Sequence, residues 1–177
     1  MKAIHTKYKT FWRRFFAGII DTLVLSPLWI FDYLFLDKGG SMQLVISTTL
    51  NIIIPYSYSI WMTGKYGATL GKMAVKLKVI DGDFEQTFVG YKRAFYRDSI
   101  LVVFDSLALI YMIIVWSFGN TSLTDRDQVV RWIDFSTSIW MLAELITMFG
   151  NDRRRAIHDI LANSVVVKSE TLRQQTV

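Results

Sequence analysis

Residues 15–36 read FFAGIIDTLVLSPLWIFDYLFL, a run of 22 residues whose only charged side chains are Asp21 and Asp32. At a helical rise of about 1.5 Å per residue it is long enough to cross a hydrocarbon core of about 30 Å. A secretory leader also starts after basic residues, but this run is longer than a leader's apolar segment and no small-x-small cleavage pattern follows it. It therefore reads as a membrane span, either lined on one side by polar groups or kinked at Pro27, where a backbone donor is missing.

Working outward, three more apolar runs have spanning length: 42–62, 99–118 and 132–149. Composition agrees, with 52% apolar and 15% aromatic residues in a chain of 177, more than a soluble domain ordinarily carries. The absence of Cys rules out a disulfide scaffold, a thiolate metal site and a Cys nucleophile, and two His residues leave little to hold zinc. With only two Pro and ten Gly the chain is neither disordered nor of low complexity. We expect one unit over residues 1–168, an all-α integral membrane protein built as a four-helix bundle, followed by a polar tail at 169–177.

The pI near 9.5 would ordinarily suggest an anionic partner such as nucleic acid, but the basic residues mark topology instead. Five precede the first run, seven lie between the second and third, and five follow the fourth, so 17 of the 20 Lys and Arg fall on one side and 3 on the other. The positive-inside rule makes the 17-residue side cytoplasmic and puts both termini there. Trp12, Trp61, Trp116 and Trp132 fall at run ends, where an indole sits between lipid and water.

The connection from Thr63 to Asp98 has its own pattern. Val75, Leu77 and Val79 alternate with Lys76 and Lys78 before Asp81-Gly82, which predicts a short half-buried strand ended by a turn. Val165 to Val167 is a second strand candidate on the same side, and the two can pair as a cytoplasmic ribbon, since neither satisfies its backbone alone. With Thr87 as N-cap, residues 88–97 predict an interfacial amphipathic helix whose Phe88, Tyr91, Phe95 and Tyr96 sit among head groups.

Ionisable side chains inside spans are costly, which directs attention to Asp21, Asp32, Asp105 and Glu144. Asp21, Asp105 and Glu144 each lie about 8 to 10 Å from the cytoplasmic end of their run. Converging in a bundle, they would form a carboxylate cluster able to exchange a proton or a small cation. Arg14, two turns before Asp21 on the same helix face, would tune it. The bland alternative is that these groups snorkel, pair with basic residues or hold helices together, and Asp32 has a simple outlet at the outer interface beside Tyr33 and Lys38.

Gly64, Gly67 and Gly71 with Lys65 and Lys72 do not make a phosphate loop: Tyr66 and Met73 stand where a Walker motif needs Gly and Ser or Thr. Gly67 and Gly71 are spaced instead as a small-xxx-small packing pair. Lys76 and Lys78, with Lys72, Arg93 and Arg97, form a basic surface suited to anionic lipid head groups, and Arg153, Arg154 and Arg155 anchor the end of the fourth run. His158-Asp159 lacks a nucleophile in recognisable context, so we expect no enzyme, no cofactor and no metal.

Three stretches together resemble the RDD family of small bacterial membrane proteins, named for an arginine and two aspartates. Trp12 to Asp21 is similar to the family's Arg-x-x-Ala-x-x-x-Asp segment. Gly67-Ala68-Thr69-Leu70-Gly71-Lys72, running on to Lys78-Val79-Ile80-Asp81 and Arg93-Ala94-Phe95-Tyr96-Arg97, resembles its Gly-x-Thr-x-Gly-Lys segment and following strand. His158-Asp159 through Val166 is similar to its terminal motif, with Ser164 where Thr is usual. The resemblance implies that Arg14, Asp21 and Asp159 are the name residues, that Thr69, Gly71, Lys72, Arg93, Arg97 and His158 belong to a cytoplasmic-face motif, and that the protein lies in the bacterial cytoplasmic membrane. Members are often described as transporters, some as cation/proton antiporters. Asp105 and Glu144 belong to none of these motifs.

The expected function is transport linked to cations or protons, with Asp21 central, Asp105 and Glu144 lining the path, and a homo-oligomer or partner membrane protein completing a small bundle. The alternatives are a non-transporting accessory or assembly subunit and an anionic-lipid-binding protein.

Overall fold

The apolar runs fold as helices that continue past the apolar boundaries, because a helical backbone keeps its hydrogen-bond ladder through a change of side-chain polarity. A computed structural model describes residues 8–36, 40–83, 87–117 and 123–173. The long helices are α1 (Phe11–Phe35) and α2 (Ser41–Tyr66); short α3 (Leu70–Ala74) and β1 (Leu77–Asp81) follow, then long α4 (Gly90–Ser117) and α5 (Leu123–Phe149), and finally α6 (Ile157–Leu161), β2 (Ser164–Lys168) and α7 (Ser169–Arg173). Lys38, the side chain of Trp116 and the end of the tail lie outside the described residues.

The start of α1, the end of α2, the start of α4 and the end of α5 all meet one cap built from the short elements: Arg14, Arg97 and Glu144 reach α6, and the Gly67 carbonyl accepts from the Val79 N–H at 2.6 Å. The long helices therefore alternate in direction. Two of them, α1 and Met42–Tyr66, are long and apolar enough to cross a membrane, and Phe135–Phe149 is a shorter apolar stretch. The protein is a mostly helical membrane protein.

Burial is distributed in reverse of a water-soluble bundle. The closed core lies in the cap, around Leu77, Val79, Ile80 and Val165 to Val167, whereas Leu23, Phe35, Met141 and Ile146 on the long helices are exposed. An aqueous surface of that composition would be unstable, and lipid is the solvent that suits it.

The strands pair antiparallel, with Val79 opposite Val166 and Ile80 opposite Val165. The predicted ribbon forms, but it is buried on both faces rather than one. Tyr8, Ile80, Val165 and Val167 pack on one side, and Leu77, Val79, Val89 and Val166 on the other. Residues 169–173, expected as the start of a polar tail, form α7, and Leu172 packs against the first of these clusters.

The helix expected at 88–97 forms from residue 90 onward, as the first turns of the helix that carries the third run. Thr87 is not an N-cap: its carbonyl accepts from the Asp81 N–H at 3.0 Å, and Phe88 bridges Ile80, so the chain is still extended there. Helix α4 starts at Gly90 and runs unbroken to Ser117. Tyr91, Phe95 and Tyr96 are exposed on its first turns.

Helix α1 likewise passes through Pro27. Proline withholds the donor that the Leu23 carbonyl would otherwise receive, and the Ser26 hydroxyl donates to that carbonyl at 2.8 Å, a local repair needed where no water reaches the backbone. Gly67 ends α2 with φ +69°, a left-handed cap. A Cβ there would also meet the Phe88 ring at 2.7 Å.

Candidate functional site

Asp21 emerges from the middle of α1 and pins α3 against it. Its Oδ1 accepts from the Tyr58 hydroxyl at 2.8 Å and the Gly71 N–H at 2.8 Å, and its Oδ2 from the Thr69 hydroxyl at 2.6 Å. Thr69 is the N-cap of α3, where its oxygen also accepts from the Lys72 N–H at 3.4 Å. Tyr58 accepts in turn from the Leu70 N–H at 2.9 Å. The first turn of α3 is thus satisfied by one carboxylate and two hydroxyls.

Beside this knot lies a cavity of about 240 Å³ lined by Asp21, Tyr56, Tyr58, Thr69, Lys72 and Asp98, with Leu25, Pro55 and Ser59 completing it. Tyr56 also donates its hydroxyl to Asp105 Oδ2 at 2.6 Å. Asp105 in turn lines a larger cleft of about 530 Å³ between α4 and α5. The Tyr56–Asp105 hydrogen bond accordingly lies between the two spaces.

Arg14 does not face Asp21. Its guanidinium bonds Asp159 Oδ2 at 2.7 Å, the Arg154 carbonyl at 3.1 Å and the Thr10 hydroxyl at 3.2 Å. Arg97 approaches Asp159 Oδ1 at 3.0 Å. Asp159 is fully buried and also accepts from the Ala156 N–H at 3.3 Å, stabilising the start of α6. Burial alone would push the Asp159 carboxyl up; the Arg97 guanidinium, then that of Arg14, outweighs it and holds the group well below the usual carboxylate range. Ser164 donates to Asp159 at 3.4 Å, so the hydroxyl kept at this position has a partner.

Glu144 shares no hydrogen-bond partner with Asp21 or Asp105 among the described residues: its partner is His158 Nδ1. Arg97 Nη2 lies 2.9 Å from His158 Nε2. A guanidinium only donates, so Nε2 accepts and Nδ1 carries the proton given to Glu144. Neutral His158 thus links a guanidinium to a carboxylate, and the two arginines are balanced by Asp159 and Glu144. Asp32 accepts from Asn51 Nδ2 at 3.2 Å, a partner on the neighbouring helix α2.

The other motif and basic residues tie the cap together. Arg93 pairs with Asp81 and donates to the Asn163 carbonyl at 3.1 Å. Lys76 pairs with Glu170 at 3.5 Å, Lys78 lies 4.5 Å from the centre of the Phe88 ring, Arg153 donates to the Gly82 carbonyl at 3.2 Å, and Arg154 stacks on Phe149. Arg155 Nε is shielded without a partner among the described residues. Among those residues no group of three or more His, Asp or Glu is spaced to hold a metal ion.

Lys72 lines the cavity as its cationic member. Desolvation, reinforced by the Arg97 charge, lowers its ammonium to about 8, against the opposing pull of Asp98, Asp159 and Asp21. The folded state therefore releases this proton before the unfolded chain does, and stability should rise as pH increases from about 8 towards the ordinary lysine value. Thermal unfolding of wild type and Lys72→Met between about pH 7 and 10 checks this: the rise should be present in wild type and smaller in the variant.

Sequence reasoning missed Tyr56, Tyr58 and Asp98. The two tyrosines were visible as polar groups inside an apolar run, in the segment Pro55-Tyr56-Ser57-Tyr58-Ser59. Asp98 fell one residue before the third run and was left outside it.

With this geometry in place, comparison with known proteins gives three findings. The family model described as RDD family matches residues 8–163. The uncharacterized membrane protein YteJ of Bacillus subtilis (strain 168) is 29% identical over 176 residues, covering 94% of this chain and 85% of YteJ. No solved structure matches.

Proposed function

The chain belongs to the RDD family, and from that premise we propose that it is a transporter of the bacterial cytoplasmic membrane that exchanges a cation for protons. All four long helices cross the bilayer, with the cap and both termini cytoplasmic. The observation that carries this reading is the Tyr56–Asp105 hydrogen bond, which stands between the Asp21 cavity and the α4–α5 cleft. Breaking and remaking that bond connects a cap-side space bearing Asp21, Lys72 and Asp98 with a deeper one bearing Asp105. Carboxylates among helices are expensive, and a site that moves charge is a use that repays their cost. Arg14 and Glu144 serve the cap, and the path is confined to Asp21 and Asp105. A second copy of the chain completes a bundle too small for alternating access by itself.

The test is proton movement in proteoliposomes on addition of Na⁺, K⁺ or Li⁺ at several pH values. Wild type should give a cation-dependent signal, Asp21→Asn should abolish it, and Tyr56→Phe should reduce it at least about tenfold, the loss of a hydrogen bond to a charged group. Absence of signal from folded wild type would overturn transport. The accessory-subunit reading would then gain, because the Arg14–Asp159–Arg97 and His158–Glu144 contacts can serve purely to hold helices together.

A further inference from the structure

The cleft between α4 and α5 differs in kind from the Asp21 cavity. Asp21 accepts three hydrogen bonds, whereas Asp105 accepts one, from the neutral Tyr56 hydroxyl, and among the described residues it has no cationic partner. The surrounding walls are Phe104, Tyr111, Trp132 and Trp140, with Leu101 and Leu107. The indole Nε1 of Trp140 is shielded and has no acceptor among the described residues. At about 530 Å³ the cleft has the size of a small-molecule site.

We propose that this cleft binds a lipophilic organic cation, with Asp105 as its counter-charge and the four aromatic rings as its walls. A small inorganic cation keeps a shell of oxygen ligands, and the cleft offers one carboxylate and the hydroxyls of Ser136 and Thr137 among carbon surfaces. A delocalised cation is weakly hydrated, so aromatic faces and a single carboxylate suffice for it. The exposed apolar surfaces of α4 and α5 let a lipid-soluble cation arrive through the bilayer. This inference goes beyond the transport reading and does not need it, since binding is read without flux.

The experiment uses the full chain in detergent with tetraphenylphosphonium as probe, followed by isothermal titration. Saturable binding to wild type is expected, weakened at least about tenfold in Asp105→Asn, where the side chain keeps its shape and its bond from Tyr56 but loses its charge. Ala108→Phe, which fills the cleft while leaving Asp105 in place, should abolish binding. Failure of folded wild type to bind saturably, or equal affinity in both variants, would overturn the proposal; the latter would make the cleft a crevice for lipid chains. Binding without any ion-driven proton movement would overturn the transport reading alone.

Discussion

Asp159→Ala is expected to destabilise the folded protein by about 3–5 kcal/mol, the cost of leaving buried charge unpaired. Asp159 is completely shielded, and the side chains of Arg97 and Arg14 are only 6% and 14% exposed. Without the carboxylate, two guanidiniums face each other across a space water scarcely enters, and the start of α6 loses its acceptor at the Ala156 N–H. Arg97→Ala should cost less, because Arg14 still neutralises Asp159. Asp159→Asn separates charge from shape, and should retain part of the N-terminal cap while losing both ion pairs. Unfolding of the detergent-solubilised protein measures the series; an alanine variant within about 1 kcal/mol of wild type would show that the guanidiniums are solvated by other means. Because the carboxyl is held below its unfolded value, its contribution is complete above the ordinary carboxylate range and is lost only as pH falls through and below it. Acid instability near neutral pH therefore has another origin.

Gly71→Ala is expected to cost about 3 kcal/mol, combining overpacking with a weakened hydrogen bond to a charged group. A Cβ on Gly71 would stand 2.1 Å from the Ala17 carbonyl oxygen and 2.8 Å from the Asp21 carboxyl carbon. The first of these is backbone and cannot swing away, so α3 must lift off α1. That movement lengthens the Gly71 N–H bond to Asp21 and disturbs the Thr69 and Tyr58 contacts with the same carboxylate. Gly18 is the control: nothing lies within 4 Å of a Cβ built there. In the interior of α1, Gly18→Ala should be neutral or stabilising by up to about 1 kcal/mol. Similar unfolding midpoints for the two variants would refute a close approach of α3 to α1.

The requirement for glycine at 71 was partly visible in the sequence. Its spacing from Gly67 marked a packing pair, yet the two act differently, Gly67 through its positive φ and Gly71 through proximity to Ala17. The ribbon was legible because alternation in β1 and the valine run in β2 are local patterns. That both its faces are covered was not, since the covering residues, Tyr8 and Val89 among them, come from distant segments. The start of the helix expected at 88–97 was set two residues too early, because a strand bridge between Ile80 and Phe88 keeps the chain extended there.

The sequence by itself determined the solvent of this protein, the one-sided distribution of its basic charge, the family motifs and the presence of carboxylates within apolar runs. Each is a property of nearby residues, set by hydropathy, period and charge count along the chain. Only the tertiary structure decided the partners: Arg14 with Asp159 across 145 positions, Glu144 with His158, Asp21 with the start of α3, and Asp105 with Tyr56. A charge pattern states that a buried ion needs compensation, and many assignments along the chain satisfy that need equally. The packing of α6 and α3 against the ends of the long helices selects one of them, because hydrogen bonds act over about 3 Å and depend on which surfaces meet.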